Sequence, residues 1–166
     1  MSSPRILIAC IGNIFLGDDG FGSAVAARLA ERSLPEDVQV KDFGIRGIDL
    51  TYALLDPYEL VILADACARG GEPGTIYVIE PDRAEPPAGP HLDAHDLNPV
   101  AVLRAVRSMG GAIGRILIVG CEPEDLGSDE DGRMGLSDAV AGAIDQAIQK
   151  IEELVSDVVV ARKIVV

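Results

Sequence analysis

The chain opens on RILIAC (5 to 10), a short unbroken apolar run stopped by a glycine turn, which is the pattern of a strand buried on both faces. FGSAVAARLAERS follows with Phe21, Val25 and Leu29 four residues apart, so it predicts a helix with one apolar stripe. VQVKDF (38 to 43) alternates as a second strand, and IDLTYALLD reads as a helix brought to an end by Pro57. ELVILADA (59 to 66) is a third strand. The turn-rich CARGGEPG then leads to TIYVIE (75 to 80), and these two strands are expected to pair antiparallel. DLNPVAVLRAVRSMG predicts a helix with Pro99 in its first turn, and RILIVGCE (115 to 122) a further central strand. Ser137 is a suitable N-cap for a last helix whose Val140, Ile144, Ile148, Ile151 and Val155 share a face. The tail VVVARKIVV suits either an edge strand or a cover over an apolar groove.

Strands alternating with helices imply an α/β fold: three layers, a mostly parallel twisted sheet with helices on both faces, and one antiparallel strand. The 166 residues fit a single domain spanning 1–166, with length enough for a full core. In such sheets ligands bind outside the carboxyl ends of the strands, near a switch in strand order.

Composition narrows the partners. Lys and Arg total 14 against 27 Asp and Glu, a net charge of -13, which repels phosphate backbones and anionic bilayers. Neither nucleic acid nor membrane is expected as a partner. The densest acidic run, EPEDLGSDED (122 to 131), reads as a solvated loop. The first apolar run is too short for a signal peptide and no stretch reaches the length of a membrane span, so the expected setting is the cytoplasm. Cys10, Cys67 and Cys121 form no C-x-x-C pair and support neither a disulfide framework nor a zinc ribbon.

The candidate chemistry is carboxylate. In CIGNIFLGDDGFG, Asp18 and Asp19 follow the first strand; Asp42 ends the second and Asp65 the third. Carboxylates gathered at one sheet edge repel one another, which raises their pKa values or calls for a cation. Taken singly, Asp18 or Asp19 suits the positive end of a helix, and Asp42 is a common turn former. Asp65 is harder to dismiss, because it sits in the apolar run VILADA, where an unpaired charge costs several kcal/mol. The two histidines, His91 and His95, fall in the long connection PDRAEPPAGPHLDAH. Two carboxylates and one imidazole suit nickel, zinc, cobalt or manganese, and spacing does not choose among them. GNIFLGDDG lacks the G-K-[ST] ending of a phosphate loop and carries negative charge where a nucleotide would add more. H-E-x-x-H and G-x-S-x-G motifs are absent.

GNIFLGDDGFG after the first strand, DFGIRG after the second, ILADA with PGTIYVIE, a histidine in HLDAHDL, and GCEP followed by GLSDAV together resemble the hydrogenase maturation endopeptidases. The resemblance runs from Arg5 to the final helix and departs at Cys10, where the family commonly has glycine. It implies a cytoplasmic endopeptidase that trims the C-terminal extension from the large-subunit precursor of a nickel-iron hydrogenase; a monomer forming a transient complex with that precursor is the simplest case. It also implies a metal site made by Asp19, Asp65 and His95, with Asp42 a secondary, catalytic candidate and Asp18 and His91 not carried over. The metal would be nickel supplied by the substrate, with zinc or cadmium able to take the same position. The alternatives to this expectation are a non-catalytic metal-binding or partner-docking module and a nucleotide-binding regulator.

Overall fold

The computed structural model describes residues 5–81, 99–127 and 134–164. Five strands, β1 (Ile6–Ile11), β2 (Val38–Gly44), β3 (Leu60–Ala66), β4 (Ile76–Ile79) and β5 (Arg115–Cys121), form one sheet in the order β2-β1-β3-β5-β4. β2, β1, β3 and β5 run parallel, and β4 alone is antiparallel. Its partner is β5. The expected pairing of β4 with β3 is therefore corrected: β5 pairs with β3 through seven residues from Leu60↔Arg115 to Ala66↔Cys121 and takes the central place, leaving β4 at the edge. An apolar run such as RILIV gains most by burial on both faces, and a four-residue strand suits an edge.

Period-two alternation divides the sheet into two cores. Ile6, Ile8 and Cys10 of β1 join Leu60, Ile62 and Ala64 of β3 against α1 (Phe21–Leu29) and the last helix. Leu7, Ala9 and Ile11 join Val61 and Leu63 against α2 (Gly47–Ala53) and α3 (Pro99–Ser108). The stripe read in α1 is real, since Phe21, Val25 and Leu29 are all buried. β2 is an edge strand, which explains its alternation: Val38 and Val40 pack on the first core while Gln39 and Lys41 face water.

Ser137 does cap a helix, its hydroxyl accepting the N–H of Val140 at 3.4 Å, but that helix is the short α4 (Asp138–Ala141). The chain tightens at Ala143, whose N–H bonds Val140 O at 3.0 Å, and resumes as α5 (Ile144–Ile164). The tail is not an edge strand, because α5 carries straight through it up to Ile164. Val155 is buried and Val158 and Val159 pack on the same core, so the 3.6-residue period outweighs the β-branched run. Residues 82–98, with both histidines and the expected helix start near Asp96, lie outside the described residues, as does part of the acidic run.

Candidate active site at the carboxyl edge of the sheet

With the order β2-β1-β3-β5-β4, chain connectivity switches sides between β1 and β3, and the crevice outside their carboxyl ends is where such a sheet binds ligands. The turn after β1 is built to enter it. Gly12 adopts φ +141°, and a Cβ there would lie 1.9 Å from the carbonyl oxygen of Asp19, so only glycine lets the chain double back. The strand substitution Cys10 sits before this turn, paired with Asp42 and Ala64 inside the sheet, and leaves the turn itself untouched. A 3-10 turn, Gly17–Gly20, then hands over to α1. Gly22, in the first turn of α1, lies so close to the strands that a Cβ would fall 2.2 Å from Ile11 O and 2.6 Å from Ala64 O. The turn bearing Asp18 and Asp19 also contacts β3. The turn therefore lies beside β3, which carries Asp65 next to its last residue, Ala66.

The two adjacent aspartates do different work. Asp18 is fully buried. Its Oδ2 accepts the N–H groups of Glu124 (2.8 Å) and Asp125 (2.9 Å) and the hydroxyl of Ser137 (2.9 Å), and its Oδ1 accepts the N–H of Ser137 (2.7 Å). Burial alone would push its carboxyl up, but these donors outweigh it and hold the group below the usual carboxylate range. Asp18 is a clamp joining the β1 turn, the segment after β5 and the start of α4. Asp19 is half-buried, and its Oδ2 accepts the N–H of Asn13 at 2.8 Å, which fixes the carboxylate over the turn.

Asp65 pairs with Gly120 of β5 and follows Val61 and Leu63 on the α2 and α3 face. Asp42 pairs with Cys10 and follows Val38 and Val40 on the opposite face. The carboxyl edge thus carries all four aspartates, but alternation separates Asp42 from Asp65. Asp42 is exposed, and its Oδ1 accepts the N–H of Gly44 at 2.9 Å, the geometry of a turn former. Among the described residues no three His, Cys, Asp or Glu side chains come together as a metal site. His95 lies outside the described residues.

The cysteines are poor nucleophiles. Burial, and then the charge of Asp42, pushes the Cys10 thiol up to about 12; burial, and then Asp65, does the same to Cys67; burial pushes Cys121 to about 11. Sequence reasoning missed Glu122, which closes β5 in an apolar run much as Asp65 closes β3. It is only 4% exposed, and its Oε2 accepts the N–H of Arg69 at 2.7 Å. An acid ending RILIVGCE was the signal.

Comparison with known proteins places this geometry. The family model described as hydrogenase maturation protease matches residues 23–154. The chain belongs to the hydrogenase maturation proteases. It is 36% identical to the hydrogenase expression/formation protein HupD of Rhizobium leguminosarum over 89% of this chain and 72% of that protein. Among solved structures it is similar to the hydrogenase maturating endopeptidase HybD of Escherichia coli, with TM-score 0.77, 26% identity, and 92% and 93% of the two chains covered. A [NiFe] hydrogenase maturation protease HycI from Thermococcus kodakarensis aligns with TM-score 0.67 and 26% identity over 93% and 94%. The chain is accordingly a peptidase of this family, with the five-stranded mixed sheet of its relatives, and membership favours an enzyme over a passive binding module. No helix among the described residues is long and apolar enough to cross a membrane.

Proposed function

We propose that this protein is the endopeptidase that removes the C-terminal extension of a nickel-iron hydrogenase large-subunit precursor once nickel has been loaded. What supports the reading is membership of this family together with the contact of the turn bearing Asp19 with β3, the strand that carries Asp65. Their carboxylates are hard oxygen donors, and His95, four residues ahead of Pro99, would supply the borderline nitrogen that makes the set suitable for nickel. The nickel belongs to the substrate, so three protease ligands form an incomplete shell that only a loaded precursor completes. Bound there, the ion would polarise the scissile carbonyl. Asp19, held by Asn13, and Asp65, held in the β3 and β5 ladder, position the precursor's metal centre so that one peptide bond is presented to water.

A folded protein substrate fits the rim of the crevice. Ile14 and Phe15 after β1, Ile45 and Ile48 after β2, and Leu126 after β5 are large apolar residues exposed by 42% or more. Apolar side chains gathered around one edge mark a protein-binding surface. The protein would act as a cytoplasmic monomer forming a transient complex with its precursor.

The test is incubation of the purified protein with nickel-loaded and nickel-free precursor, followed by mass spectrometry of the large subunit. Shortening only of the loaded form is expected. Asp19→Ala, Asp65→Ala and His95→Ala should each slow cleavage by at least about a hundredfold with an unchanged circular dichroism spectrum. Wild-type rates in all three variants would remove the proposal.

A further inference from the structure

After Asp65 the chain leaves β3 through Cys67 to Arg69, and this short exit is held from two sides. The peptide N–H of Arg69 is fixed by the buried Glu122 carboxylate at 2.7 Å, and its guanidinium lies over the ring of Tyr77, 5.6 Å from the centroid. Tyr77 pairs with Gly120, the residue opposite Asp65. Backbone and side chain of Arg69 are therefore both oriented. Even so, in a chain with 27 acidic residues its guanidinium makes no ion pair and donates no hydrogen bond to another described residue. Another arginine among the described residues at this edge, Arg46, is spent within its own loop: it donates to Asp42 O at 2.7 Å and Phe43 O at 3.1 Å and faces Asp49. A planar cation stacked on an aromatic face with its fork open is suited to a carboxylate.

We propose that Arg69 is a specificity residue that takes a carboxylate of the substrate's C-terminal extension, either an acidic side chain or the terminal carboxylate. This rests on the reading of the crevice as the cleavage centre. A peptide whose scissile bond sits at Asp19 and Asp65 passes the exit from β3 within a few residues at about 3.3 Å per extended residue. Carboxylates are the only anions an unmodified polypeptide offers at neutral pH. Arg69 also gives an acidic extension somewhere to bind at an edge otherwise dominated by negative charge.

The experiment measures steady-state cleavage of the nickel-loaded precursor in three forms: native extension, extension with its Asp and Glu changed to Asn and Gln, and extension ending in a carboxamide. On the native form Arg69→Ala should raise KM about tenfold while kcat stays within about twofold, and Arg69→Lys should fall between. Removing the contacted carboxylate from the extension should raise the wild-type KM equally and abolish the further effect of Arg69→Ala, which identifies its source. Arg69→Gln, which keeps the bulk of the side chain, guards against loss of packing. Equal KM for wild type, Arg69→Ala and Arg69→Gln, or a penalty that persists undiminished on both altered extensions, would overturn the proposal. Failure of wild type to cut any loaded precursor would instead overturn the cleavage reading itself.

Discussion

The two ends of the parallel strands handle their carboxylates in opposite ways. At the amino edge Glu59, Asp37 and Glu80 meet cations: Glu59 pairs with Arg5 at 3.0 Å and with Arg162 at 2.8 Å, Asp37 with the same Arg162, and Glu80 with Arg115 at 3.1 Å. At the carboxyl edge the donors are peptide N–H groups: those of Glu124, Asp125 and Ser137 for Asp18, Asn13 for Asp19, Gly44 for Asp42 and Arg69 for Glu122. An ion pair cancels charge, whereas a peptide N–H orients a carboxylate and leaves its charge in place. The amino edge is thus neutralised for stability. At the carboxyl edge peptide donors instead fix the direction in which Asp18, Asp42 and Glu122 point.

The sharpest way to break this contrast is at Asp18. Asp18→Ala removes the acceptor for three N–H groups and one buried hydroxyl, and should lower unfolding free energy by about 3 kcal/mol or more, read as an earlier denaturant midpoint. Cutting the amino edge should cost less. Arg162→Met strands Asp37 at a half-buried rim, leaves Glu59 with Arg5 alone, and should destabilise by about 1–2 kcal/mol with cleavage unchanged. The smallest effect is in acid. Because the folded Asp18 carboxyl titrates below its unfolded value of about 3.9, its contribution is complete above that pH and fades as pH falls through the folded value. The stability gap between wild type and Asp18→Asn should therefore narrow below about pH 4, seen in thermal melts from neutral to strongly acid buffer.

The strands of the sheet were legible because burial on both faces writes an unbroken apolar run, and Asp65 stood out as the charge inside one. Pairing was less legible. β4 follows β3 along the chain, yet it is β5, nearly forty positions later, that lies between them. No local pattern records that insertion. Asp18 and Asp19 are locally alike, and what separates them is contact with residues 106 to 119 positions away. The helical course of the tail was available in Val155, Val158 and Val159, but the run of valines spoke for a strand and tertiary packing overruled it.

The seat of Gly22 on the carbonyl oxygens of Ile11 and Ala64 makes the floor of the crevice main chain rather than side chain. Evolution can therefore exchange the groups that face a new client protein, one loop at a time, while the distance between the first helix and the two strands beneath it stays set by atoms that every amino acid shares.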